Sequence, residues 1–543
     1  MARNYWLLPT DVLTRAENTP KLVGDFIESL LDPETREITA LDPVDILARV
    51  REGTYTAVKV TTAFCKRAPY AHQLNNNVLE FIFEAALEQA KELDQYLEQH
   101  NETAGPLHGL PVSMKNQFHV NSVNTSMGYV GWINKERPVE SLLVKELKSL
   151  GAIPIAKTTC VQTLFFGETN NNILGYTKNP FNQALSTGGS SGGEGAFQAL
   201  RGSGIGFGTD IGGSVIMPSA FAGLYSLKPS HGRISYKDVA NSVPGQPVIP
   251  SVIGIMAISL PSLRLMFKSL QSTKPWLDDP EVINFSSRLE TEPNSIALEG
   301  SDKVSFGLYE NDGMVVPHPP IQRALRIVQK ALDLKGYKFV TWDPPSHREA
   351  ATMHSFFLRA DGNADVFEQI NLSGEPFIPE IQAQFGEKPK PPALLLDFYK
   401  QYLHLKECRE KYQAYWNSTA TKSSTGLPVD AVILPASPHA GVIPGKYYHY
   451  LYSNFPNVLD YTTMVIPVTN ANKTIDIFDK DYKPLNDVDK KNWLAYDPEK
   501  YNGAPASFQL LGRRLDEEKL ISLATIIVEA LEEYKKQDGW ENV

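Results

Sequence analysis

A chain of 543 residues, with 42% hydrophobic and 21% charged residues, has the balance of a folded globular protein and material for a large core; this excludes disordered and fibrous classes. Its net charge of -10 argues against nucleic acid as the main partner, because phosphate binding needs a basic face. Three cysteines, Cys65, Cys160 and Cys408, are odd in number and far apart, so they suggest neither a disulfide framework nor a zinc ribbon, and a reducing compartment fits them best.

The N-terminal stretch MARNYWLLPTDVLTRAEN lacks an apolar run of secretory length, and no later run is long and apolar enough to span a bilayer. A cytoplasmic protein without a transmembrane segment is expected. After an opening helical region, Leu79, Ile82, Phe83, Ala86, Leu87, Ala90, Leu93 and Leu97 recur at helical spacing, which predicts one amphipathic helix over 78–100 with its apolar face in the core. LPVSMKN (110–116) and GAIPIAKTTC (151–160) read as strands, and PVESLLVKELKSLG between them reads as a helix.

Beyond Pro261, the punctuation of VPHPPIQ, WDPPS and EKPKPPAL breaks the chain into helical stretches and loops, with no internal repeat of fixed period. Strands resume at VDAVILPAS (429–437) and TTMVIPVT (462–469). A closing helix starts near Asp516 as N-cap, with Leu520, Leu523, Ile527, Val528 and Leu531 on one face. The alternation reads as α/β, and no composition shift marks a linker. One domain over 1–543 is expected, divided into an N-terminal helical region (about 1–75), a core (about 75–235), a variable section (about 236–425) and a C-terminal return (about 426–543).

The stretch STGGSSGGEGAFQALRGSGIGFGTDIGGSV, from Ser186 to Val215, is too rich in glycine and serine for an ordinary helix or strand. It contains neither G-x-x-x-x-G-K-[ST] nor G-x-G-x-x-G, so nucleotide binding is not favoured. It does contain two overlapping G-x-S-x-G matches, which would suit the nucleophile elbow of an α/β-hydrolase using Ser190 or Ser191 with His439 or His449. Against that reading, the preceding YTKNPFNQALST is polar, broken by Pro180, and does not read as the strand an elbow requires.

Ser214 offers a different chemistry. Gly212 and Gly213 before it let the backbone turn sharply and aim free N–H groups at one point, as an oxyanion hole beside a nucleophile requires. Such a serine needs a base. His231, in KPSHGRIS, has no acidic residue near it in sequence to orient it, whereas Lys115 ends a short apolar run whose burial would lower its pKa from about 10.4 toward neutrality. No S-x-x-K occurs, so a Ser-Lys site has to be assembled from distant segments.

These segments together resemble the amidase signature family. GGSSGGEGAFQALRGSGIGFGTDIGGSVIMPSAFAGLYSLKPSHGRIS looks like its signature block and LPVSMKN like its lysine segment, while GAPASFQLLGRRLDEEKLI (503–521) returns to the pattern more weakly. The flavour is that of the acetamidase-like and fatty acid amide hydrolase branches. The resemblance implies a single-domain mixed β-sheet covered by helices and a Ser-Ser-Lys triad of Lys115, Ser190 and Ser214, with Ser190 in a cis peptide. It further implies oxyanion donors at Ile211, Gly212, Gly213 and Ser214, with Ser191 and Asp210 in support. The implied activity is hydrolysis of an amide through an acyl-enzyme on Ser214, extending to esters and carbamates, without metal or organic cofactor. The expected partner is a small-molecule amide, and a homodimer is left open.

Two positions depart from the family's pattern. Ile216 stands where Arg is usual, and Asn116 where an acidic residue is usual. If that Arg ordinarily pairs with Asp210, this carboxylate must find another partner or lie somewhere wetter. Leu164 aligns with a position that lines the substrate pocket, Phe165 and Phe166 are apolar neighbours, and Trp132 is a further candidate wall. A catalytically silent amide-binding relative remains an alternative because of the two departures.

Overall fold

Eleven strands form one mixed sheet in the order Val78–Phe81, Ile153–Thr158, Pro111–Lys115, Ile205–Asp210, Val252–Ala257, Tyr225–Lys228, Thr463–Asn470, Pro505–Leu511, Ala431–Pro435, Ser305–Leu308 and Lys338–Thr341. The computed structural model describes residues 6–135, 138–285, 303–537 and 539–541. Pro111–Lys115 runs parallel to both of its neighbours, whereas Val252–Ala257 is antiparallel to both of its own. Helices cover the sheet, so runs such as Ala431–Pro435 and Val252–Ala257 are buried along their whole length. That is why these segments are continuously apolar rather than alternating.

The opening region is helical among the described residues, ending in the helix Ala57–Asn75, which Asn76 closes at φ 53°. The single helix expected over 78–100 is a strand followed by a helix: Val78–Phe81 pairs antiparallel with Ile153–Thr158, and the helix runs Phe83–His100. Four residues, three of them apolar, carry too little periodicity to separate the two states, and the free backbone edge of a neighbouring strand decides between them. The section after Pro261 also holds more sheet than its punctuation suggests. Ser305–Leu308 and Lys338–Thr341 are parallel neighbours joined through the helix Pro319–Leu334. The polar stretch before the Gly/Ser turn, read as non-strand, folds into a ribbon of Lys178–Asn179 and Asn182–Ser186 outside the large sheet.

One hydrophobic cluster runs under most of the sheet, and a second gathers Trp342, Tyr412, Trp416 and Phe455 beneath the helices of the middle section. No helix among the described residues is long and apolar enough to cross a membrane.

Candidate active site

The parallel strands Pro111–Lys115 and Ile205–Asp210 end side by side, which brings Lys115 next to Thr209 and Asp210 at their carboxyl ends. Sheets of this kind commonly bind ligands at that edge. Lys115 is fully buried, and its ammonium donates to Ser190 Oγ at 2.6 Å and to Thr209 Oγ1 at 3.0 Å. The Thr209 hydroxyl passes its own hydrogen to Gln117 Oε1 at 2.6 Å, so it can only accept from Lys115. Burial, weakly opposed by Cys160 and Asp210, lowers the Lys115 pKa to about 8. A second buried lysine, Lys157 on the adjacent strand, donates instead to Asn124 O and Thr125 Oγ1 and holds that loop.

Ser190 sits in the turn between the ribbon and the helix Gly192–Ala199, and the Gly189–Ser190 peptide is cis. Gly193 lets this turn lie against the sheet: a Cβ there would come within 2.3 Å of the Thr159 carbonyl oxygen. Ser191 ties the turn to its surroundings, its N–H donating to the Ser214 carbonyl (3.2 Å) and its hydroxyl to the Thr209 carbonyl (3.2 Å). Among the described residues, the hydroxyls of Ser190 and Ser214 share no hydrogen bond.

Asp210, buried at the end of its strand, organises the turn that carries Ser214. Its Oδ1 accepts from the Gly213 N–H (2.8 Å) and Asn457 Nδ2 (3.0 Å), and its Oδ2 from the N–H groups of Val215 (2.6 Å) and Ile216 (3.3 Å). This answers the question raised by Ile216: backbone amides and an asparagine take the place of an arginine, and Ile216 packs with Met217, Phe221 and Val465. The Gly213 N–H, expected among the oxyanion donors, is committed to Asp210. The N–H groups of Ile211, Gly212 and Ser214 donate to no protein acceptor among the described residues. Asn116, the other departure, accepts through Oδ1 from the Ser126 N–H and hydroxyl and from the Met127 N–H, as a carboxylate could.

Ser214 lines a cavity of about 380 Å³. Leu164, Phe165 and Phe166 form part of its wall, but Trp132 does not. Trp132 packs with Met127, Tyr129 and Ile370, and its Nε1–H donates to Gln369 Oε1 at 3.0 Å. Another part of the wall comes from the section read as variable. Ala351, His354, Ser355 and Leu358 fall on one face of the helix His347–Leu358 and line the cavity together. His354 Nε2 lies 2.7 Å from the Ile211 carbonyl oxygen. Asn454 and Asn457 project from the helix Leu451–Leu459, the first into the cavity and the second onto Asp210. No motif marks any of these residues, and only the helical spacing of 351, 354, 355 and 358 could have singled out that face.

The histidines considered as bases, His439 and His449 for an elbow and His231 for Ser214, pair with other groups. His439 pairs with Ser437 Oγ at 2.9 Å, His449 Nε2 with Asp312 Oδ2 at 2.5 Å, and His231 stands 3.8 Å from Glu281. The group facing Ser190 is an amine.

The profile of the family described as Amidase matches residues 59–521. The acetamidase of Aspergillus oryzae is 42% identical over 499 residues, covering 92% of this chain and 91% of that protein. The acetamidase of Emericella nidulans is 41% identical over 506 residues, covering 93% and 91%. Among solved structures, a fatty acid amide hydrolase superposes with a TM-score of 0.87 at 30% identity, covering 97% of this chain and 91% of that one.

Proposed function

The chain belongs to the amidase signature family and is an acetamidase-like hydrolase of amides, and on that premise we propose that it works through a Ser214 acyl-enzyme with Ser190 and Lys115 as its proton relay. Neutral Lys115 accepts the Ser190 proton while Ser190 accepts that of Ser214, and Ser214 Oγ attacks the amide carbonyl. The N–H groups of Ile211, Gly212 and Ser214 stabilise the oxyanion, with Gly213 as the bend that Asp210 holds in place. The proton returns through Ser190 to the departing nitrogen, and water then cleaves the acyl-enzyme. The hydrogen bond between the two serines forms as substrate binds, since catalytic hydrogen bonds often tighten only in the complex and side-chain rotation is fast.

The observation that carries this reading is the 2.6 Å approach of a fully buried lysine amine to Ser190 Oγ, beside a cavity that Ser214 lines. A charged ammonium is costly there without a carboxylate in hydrogen-bond contact, so burial makes the neutral base far easier to reach than for a lysine in water. The cavity wall is mostly apolar, which suits aliphatic or aryl amides of moderate size, and the same acyl chemistry extends to esters and carbamates.

The test is intact mass after treatment with a small fluorophosphonate, followed by peptide mapping. A single adduct on Ser214 is expected. An adduct on Ser190 or Ser191 would restore the elbow reading, and no adduct would identify an amide-binding relative without catalysis.

A further inference from the structure

We propose that Arg359 forms an anion subsite in the cavity that Ser214 lines, so that the preferred substrates are amides also carrying a carboxylate several bonds from the scissile carbonyl. The proposal rests on the amidase reading and names the substrate class for the same site.

The protein supplies its own comparison. Among the described residues the three fully buried arginines each meet a carboxylate: Arg67 pairs with Glu28, Arg233 with Glu517 and Glu518, and Arg323 with Asp476. Arg359, part-buried and the single Lys or Arg of the cavity lining, has no ion pair among the described residues. Its Nη2 donates to Gln384 Oε1 at 2.8 Å, and its guanidinium carbon lies 4.9 Å from the centre of the Phe385 ring. Ring and amide together restrain the guanidinium, and its Nε and Nη1 donors have no protein acceptor among the described residues. Among the described residues no Asp or Glu lines the cavity, and Asp312 is already engaged by His449.

A guanidinium removed from much of its water, restrained by a ring and an amide and lacking a carboxylate, is complementary to a planar anion that can accept two parallel hydrogen bonds. Arg359 lies five residues beyond His354, the side chain that meets the Ile211 carbonyl, which is about 7.5 Å of helical rise. The spacing suits a carboxylate at the far end of a short aliphatic chain, on either the acyl or the amine portion of the amide.

The test is calorimetric binding at pH 7 to full-length Ser214→Ala protein, using two matched pairs. Adipic acid monoamide against hexanamide probes the acyl side, and N-acetyl-5-aminopentanoate against N-pentylacetamide probes the amine side. In at least one pair the anion is expected to bind about tenfold tighter or more, in line with a charged hydrogen bond. That preference should collapse when Arg359→Gln is added and survive in part with Arg359→Lys. Equal or weaker binding of the anion in both pairs overturns the subsite without any variant at position 359, as does a preference that Arg359→Gln leaves intact. Turnover by the unaltered enzyme is read separately: an anion preference without hydrolysis of any of the four amides would remove the amidase reading and leave the subsite standing.

Discussion

Asn457 Nδ2 donates to Asp210 Oδ1 at 3.0 Å, completing a set of four hydrogen bonds to a buried carboxylate whose other donors are the N–H groups of Gly213, Val215 and Ile216. A carboxylate offers about four acceptor positions, so this one is saturated. Asn457→Leu keeps the volume and removes the charged hydrogen bond, and should destabilise the fold by about 1.5–3 kcal/mol in urea unfolding. Ile216→Arg gains nothing from Asp210 and places a guanidinium among Met217, Phe221 and Val465, so it should lower stability too. An increase in midpoint for Ile216→Arg would show that Asp210 still needs a cation.

The relay predicts the pH dependence of activity. Lys115 acts as a base only when neutral, and burial lowers its pKa to about 8, so kcat/KM should rise with pH through that value and level off above it. Lys115→Met should lower kcat/KM by about 10²–10⁴ and abolish this limb of the profile. A limb that persists in the variant would assign the titration to another group.

Ser190 and Ser214 separate by labelling. Ser190→Ala should slow both turnover and fluorophosphonate labelling by about 10²–10⁴ while the adduct stays on Ser214. Peptide mapping checks it, and loss of the adduct from Ser214 would make Ser190 the nucleophile.

His354 should act as a positioning residue. In a trans peptide the carbonyl and the following N–H point in opposite directions, so a donor on the Ile211 carbonyl helps to aim the Gly212 N–H. His354→Leu should reduce kcat by roughly tenfold to a hundredfold with a smaller change in KM, somewhat less than deletion of an oxyanion donor costs. His354→Gln restores a donor and should recover much of the loss. A change confined to KM would limit His354 to lining the cavity.

Gly213 has φ 104°, and a Cβ on it would lie 2.4 Å from Ser453 Cβ. Gly213→Ala should therefore shift the turn that carries Ser214, costing about 1–3 kcal/mol of stability and most of the activity. Thermal unfolding beside steady-state kinetics checks both effects.

The sequence by itself determined the local features: the strand ending in Lys115, the glycine turn before Ser214, the apolar strands near 430 and 465, and the family. These are readable because continuous burial demands apolar runs and tight turns demand glycine, both of which are written in consecutive residues. Only the tertiary structure decided that Val78–Phe81 is a strand, because the decisive hydrogen bonds belong to a segment about 75 residues away. It likewise decided that Asn457 and backbone amides satisfy Asp210, that Trp132 is core, and that His354 and Arg359 line the cavity. Each of these outcomes depends on which distant side chain fills the space beside a group, and no short-range pattern carries that information.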